Sequence, residues 1–184
     1  QRIYFNPATA KAGIVTCGGL CPGLNNVIRS IFLELNYHYK VPEILGFQYG
    51  YHGLNPTSLY PPIKLELSIV SDIHETGGTV LGTSRGPQDP RIMVDYLKQL
   101  GVSILFPIGG DGTQHGALAI HQEAQRQGYP LAVVGVPKTI DNDIQYVSRT
   151  FGFTTAVDDA RGVIDRAHNE ARAVLNGVGL VKLM

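Results

Sequence analysis

Val102-Ser103-Ile104-Leu105-Phe106-Pro107-Ile108-Gly109-Gly110-Asp111-Gly112-Thr113 is an apolar run that stops at a glycine-rich turn, and residues 113–127 then carry a helical pattern closed by Gly128. A run without sustained polar alternation suits a strand buried on both faces, as in a parallel sheet. A glycine just past the last periodic residue is a common helix stop. Downstream, residues 131–136 form a second short apolar run, followed by a polar loop over 137–149. Residues 155–176 then predict a long helix, and residues 178–183 a last strand.

Upstream, residues 91–100 predict a helix with Ile92, Tyr96, Leu97 and Leu100 on one face. Residues 11–16 predict a strand that enters a Gly/Pro loop at 18–23. Residues 25–39 place Val27, Ile28, Ile31, Phe32 and Leu35 at helical spacing, and residues 43–47 predict another strand. Residues 50–62 are rich in Gly, Pro and Tyr and predict a loop, with a helix over 67–74. Strands alternating with helices point to an α/β fold, a three-layer αβα arrangement with a Rossmann-like, mainly parallel sheet. Ligands of such sheets bind at the carboxyl ends of the strands. Three loops, 16–26, 108–114 and 136–143, then fall on one edge.

The 184 residues suffice for one core, and 15 basic residues balance 15 acidic ones. Zero net charge gives no sign of a nucleic-acid partner, and no apolar run approaches the ~20 residues of a membrane span. Cys17 and Cys21 have no companions at metal-ligand spacing and read as reduced packing residues. The expected setting is soluble and cytoplasmic. Residue 1 is not Met, and the last strand pattern, 178–184, stops short, so the chain is expected to be an excerpt of a longer protein.

Gly109-Gly110-Asp111-Gly112-Thr113 sits between strand and helix. Glycines there admit a polyphosphate close to the backbone, and the helix N-terminus favours negative charge. Asp111 makes sense in such a loop if it faces Mg²⁺, directly or through water. The plain alternative is a tight turn with an Asp cap. Residues 17–26, CGGLCPGLNN, lack the Lys-Ser/Thr of a P-loop and the spacing of a dinucleotide fingerprint. They form either a second phosphate turn or an ordinary one. Residues 137–143, PKTIDND, offer two carboxylates two positions apart, behind a lysine and a threonine. In phosphoryl transfer one Asp accepts the proton of the attacking hydroxyl and the other helps hold metal. The alternative is a solvated acidic turn. Arg85, in residues 83–87, TSRGP, is able to clamp a phosphate, or is a plain surface charge. The six histidines form no ligand spacing, and His115 and His121 read as helix-surface residues.

Together TCGGLCPGLNN (16–26), GTSRG (82–86), IGGDGT (108–113), PKTIDND (137–143) and GFTTAVDDA (152–160) closely resemble the 6-phosphofructokinase family. NAD and diacylglycerol kinases look similar at the Gly-Gly-Asp-Gly-Thr turn. The Thr-Ile-Asp-Asn-Asp segment and the upstream glycine loop are specific to phosphofructokinases.

The resemblance implies that Asp141 is the general base toward the 1-hydroxyl of fructose 6-phosphate. It implies that Thr139 contacts the sugar phosphate or the transferring group, and that Asp111 and Asp143 are the Mg²⁺-associated acids. Gly18 and Gly19 would meet the donor phosphates, with Arg85 bridging donor and transferred phosphates. Gly110, Gly112, Thr113 and Gly116 would form the nucleotide side, with Lys138 offsetting phosphate charge. Pyrophosphate-dependent relatives usually carry Asp where this chain has Gly112, and a carboxylate there would crowd and repel the α-phosphate of a nucleotide. Gly112 therefore argues for ATP, although Lys138 is shared with the pyrophosphate users. The pair resembles the ATP-dependent branch of plants and trypanosomes. Residues 1–184 would be the N-terminal, phosphate-donor domain, and the domain supplying most fructose 6-phosphate contacts would lie outside it. A homo-oligomer is expected by the same resemblance. The alternatives are a pyrophosphate-dependent enzyme, another Gly-Gly-Asp-Gly-Thr kinase, or a non-catalytic nucleotide-binding subunit.

Overall fold

A computed structural model describes residues 4–183. Strand β1 (Lys11–Thr16) is central, and its residues 12–16 are all buried. It pairs in parallel with β2 (Glu43–Phe47) on one side and β4 (Ile104–Gly109) on the other. Strand β3 (Ile63–Lys64) adds an antiparallel edge to β2. Strands β5 (Ala132–Val133) and β6 (Val136–Pro137) both run parallel to β4. The order β3-β2-β1-β4-β5 gives the mainly parallel sheet that the apolar runs predict.

Helix α1 (Leu24–Leu33) covers one face and continues as a wider π-helical turn over Glu34–His38. Leu24, Ile28 and Phe32, four residues apart, pack with Ala12, Ile14 and Ile44. The short helix α2 (Leu67–Val70) adds Val70 to that core. Helices α3 (Pro90–Leu100) and α4 (Asp111–Arg126) cover the other face, against Val15, Phe47 and Leu105. Asp89 caps α3, its carboxylate accepting from the Arg91 N–H at 2.8 Å, with Pro90 as first helical residue. Helices therefore lie on both faces, making three layers. Helix α5 (Phe153–Arg172) has no buried residue.

The structure corrects several sequence expectations. The run 131–136 is broken into β5 and β6 rather than one strand. The carbonyls of Ser103, Leu105 and Gly109 accept from this neighbour, so Pro107 faces it too and has no N–H to give. The ladder lapses at Val134 and Gly135, which the flanking registers set opposite Phe106 and Pro107. In α3, Met93, Val94 and Leu97 are buried, while Ile92 is 41 % exposed. The helix expected over 67–74 splits into α2 and a 3₁₀ turn, Ile73–Glu75. Residues 50–54 of the expected loop coil into another 3₁₀ turn. Residues 178–183 form no strand. Val178 and Leu180 are more than 85 % exposed, and a strand needs a neighbour to bond. Met184, the last residue of that expected segment, lies outside the described residues, as does Gln1.

Candidate functional site

Chain order reverses about β1. The chain crosses from β1 to β2 on one side, and β4 lies on the other. The loops that leave β1 and β4 diverge there, one into α1 and one into α4, and open a crevice at the strand ends. Hydrogen bonds hold its walls together. Thr16 Oγ1, at the end of β1, donates to the Gly82 carbonyl at 2.7 Å. The Gly18 N–H donates to the Ser84 carbonyl at 3.0 Å, and Thr83 Oγ1 donates to the Gly18 carbonyl at 2.7 Å. Continuing the β4–β6 ladder, the Lys138 N–H donates to the Gly109 carbonyl at 2.9 Å. Lys138 Nζ reaches back to donate to the Gly19 carbonyl.

The resulting cavity is about 930 Å³. Of the sequence-predicted residues it is lined by Gly18, Gly19, Arg85, Gly110, Gly112, Thr113, Gly116, Lys138, Thr139 and Asp141. Asp111 and Asp143 are not among the lining residues. Asp111 heads α4 with its side chain 84 % exposed, 3.3 Å from His115 Nδ1. Asp143 Oδ1 accepts from Thr139 Oγ1 at 2.8 Å, beside the cavity wall.

The wall is positively biased. Lys138 is buried, and burial holds its ammonium pKa below the ordinary value. Among the described residues no carboxylate oxygen lies within the 4.0 Å of an ion pair with it. A buried ammonium bonded only to a carbonyl is a ready partner for an anion. Helix α4 begins at Gly110 without a side-chain cap, so its first-turn N–H groups add positive potential at the same rim. An Arg85 guanidinium nitrogen lies 3.5 Å from where a Cβ on Gly19 would stand. The arrangement suits a polyphosphate laid between the loops after β1 and β4.

Sequence reasoning did not place Tyr51, Cys17 or His115, among others, on the cavity wall. Tyr51 is buried, and its hydroxyl donates to the Thr113 carbonyl at 2.7 Å. The carboxyl end of β2 lies on the same sheet edge, so the loop after it was a findable wall. Cys17 lines the cavity floor, and burial pushes its thiol up to about 11. His115, expected on the helix surface, is exposed and also borders the cavity. Both cysteines are free and buried, as packing residues would be.

Mg²⁺ commonly takes one or two carboxylates and completes its shell with water and substrate phosphates. No group of three or more His, Cys, Asp or Glu side chains among the described residues is placed to hold a metal by itself. Asp111 and Asp143 supply carboxylates of the type a substrate-assisted site uses, one exposed at the start of α4 and the other on the Thr139 hydroxyl.

The chain is 56 % identical over its whole length to an ATP-dependent 6-phosphofructokinase of Trypanosoma brucei brucei. It is 50 % identical, also over its whole length, to the ATP-dependent 6-phosphofructokinase 1 of Arabidopsis thaliana. It spans 38 % of the length of each. A crystal structure of a pyrophosphate-dependent phosphofructokinase from Marinobacter aquaeolei superimposes with a TM-score of 0.77 over 87 % of this chain and 41 % of that one. At 21 % identity that likeness speaks to the fold alone. The family profile described as Phosphofructokinase matches residues 11–184, which takes in every loop of the crevice, and the chain belongs to that family.

Proposed function

We propose that the protein containing this chain transfers the γ-phosphoryl group of ATP to the 1-hydroxyl of fructose 6-phosphate, with this chain as the donor-binding part. One observation carries the reading: Asp141, Arg85 and the buried Lys138 border one cavity with the uncapped start of α4. Asp141 accepts the hydroxyl proton as the sugar oxygen bonds to the γ-phosphorus. The bond from that phosphorus to its bridging oxygen breaks, and ADP departs. Arg85, Lys138 and the α4 N–H groups offset charge on the phosphoryl oxygens and the leaving group. Thr139 Oγ1 accepts from the Asp141 N–H at 3.1 Å and so steadies the base. Asp111 and Asp143 would hold Mg²⁺, which, when bound, neutralises polyphosphate charge. Most of the rate enhancement is positioning and electrostatics.

Gly112 supports ATP as donor. A Cβ there would touch no other residue within 4 Å, so packing within the protein does not call for a glycine. Space for a nucleotide α-phosphate does. Lys138 favours the second reading, pyrophosphate as donor, and assays with each donor side by side separate the two. Small-molecule substrates agree with the zero net charge, and no nucleic acid is invoked. No described helix is long and apolar enough to cross a membrane. We place the enzyme in the cytoplasm as a homo-oligomer.

The test is Asp141→Asn in the full-length protein. Turnover should fall by ~10²–10⁴-fold, with ATP affinity changed only a few-fold. Equal losses in turnover and ATP affinity would show that Asp141 is not the base.

A further inference from the structure

Asp141 and Asp143 are two residues apart, and in an extended chain both side chains would leave the backbone on one side. Here they part. Asp141 borders the cavity, while Asp143 Oδ1 is engaged by the Thr139 hydroxyl at 2.8 Å. Between them Asn142 has a φ of 53°, in the left-handed region. Few residues other than glycine accept that region, and Asn is the usual exception.

The Asn142 side chain is tied down. Its Oδ1 accepts from the Thr150 N–H at 2.8 Å, and its Nδ2 donates to the Ser148 carbonyl at 3.3 Å. Thr150 is buried, and its hydroxyl donates to the Thr139 carbonyl at 2.7 Å. One carboxamide therefore joins the start of the 139–150 loop to its end and braces the left-handed turn from outside.

We propose that Asn142 is a positioning residue that sends Asp141 into the cavity and Asp143 onto Thr139, with Thr150 as its anchor. The proposal rests on Asp141 being the catalytic base. Asn142 itself touches no reacting atom. Its geometry separates two chemically identical side chains into two tasks.

The experiment compares Asn142→Gly, Asn142→Ala, Asn142→Asp and Asp141→Asn in the full-length protein. Its readouts are kcat, KM for ATP and hydrogen exchange at the Thr150 amide. Asn142→Gly accepts the left-handed turn but lacks the acceptor. Its kcat should fall by about 10-fold with KM for ATP nearly unchanged, and the Thr150 amide should lose protection. Asn142→Ala also resists the turn and should lose about 10- to 100-fold. Asn142→Asp retains an acceptor, so Thr150 protection should return and kcat should exceed that of the glycine variant. If Asn142→Ala does not fold, Asn142→Gly decides alone. Wild-type kcat in the glycine variant overturns the proposal. So does a loss of kcat with Thr150 protection intact. If Asp141→Asn retains turnover, the base assignment falls instead, and the Thr150 amide still shows whether the brace exists.

Discussion

Gly112 and Gly116 lie one helical turn apart at the start of α4, yet alanine should do opposite things at the two positions. A Cβ on Gly116 would stand 2.4 Å from Tyr51 Cε2, 3.1 Å from Cζ and 3.2 Å from the hydroxyl oxygen. Tyr51 has little freedom to yield, because it is 6 % exposed and its hydroxyl is bonded to the Thr113 carbonyl. Overpacking of a core typically costs about 1–3 kcal/mol. Displacing the ring also forfeits a buried hydrogen bond, about 1 kcal/mol. Against this, Gly→Ala inside a helix returns about 1 kcal/mol. The net for Gly116→Ala is a loss of about 1–3 kcal/mol, or roughly 3–10 °C in Tm for a domain of this size. Gly112→Ala meets no protein atom, so it should be neutral or stabilising by up to about 1 kcal/mol. Thermal unfolding of both variants in the full-length protein measures the difference. Hydrogen exchange along α4 shows whether the loss is local. A Gly116→Ala protein as stable as wild type, or a Gly112→Ala protein less stable by more than 1 kcal/mol, would refute the packing argument.

Two further expectations concern the same wall. Gly112→Asp puts a carboxylate where the α-phosphate of ATP would sit. KM for ATP should rise by about 10-fold or more while pyrophosphate use is little affected, and equal losses with both donors would count against ATP as the natural substrate. Alkaline stability should fall steeply because of Cys17. Below pH 9 its thiol keeps its proton folded and unfolded alike. Between 9.0 and about 11 the unfolded chain releases that proton first, so stability falls as pH rises, by at most about 3 kcal/mol. Urea midpoints from pH 8 to 11 should slope less in Cys17→Ala than in wild type. Tyr51, also raised by burial, steepens both curves above pH 10, and identical slopes would show that Cys17 is not the source.

Strand β1 and the helix α4 were legible because each is decided locally. A run buried on both faces is apolar through its middle, as residues 12–15 are, and a glycine with positive φ such as Gly128 stops a helix wherever it is packed. Ile92 misled because α3 has apolar residues on more than one stripe, and only the position of α4 and the sheet selects Met93, Val94 and Leu97. The break between β5 and β6 is caused by Pro107, some 27 positions away in sequence and opposite it in space. No window read along residues 131–136 contains that cause. The segment 178–183 has strand composition, but composition does not supply a bonding neighbour.

The sequence alone determined the chemistry on offer: a glycine-rich strand-to-helix turn, then paired carboxylates and a lysine after another apolar run, and an arginine in a separate loop. These are properties of residue type and short spacing, and they survive without coordinates. Only the tertiary structure decided which groups face each other. It put the Lys138 ammonium on the Gly19 carbonyl, the Tyr51 hydroxyl under α4, and Asp141 on the cavity wall while Asp143 turned to Thr139. The physical reason is that direction and burial belong to pairs of residues far apart in the chain. A buried ammonium at Lys138 is stable only where a distant neighbour such as the Gly19 carbonyl meets it.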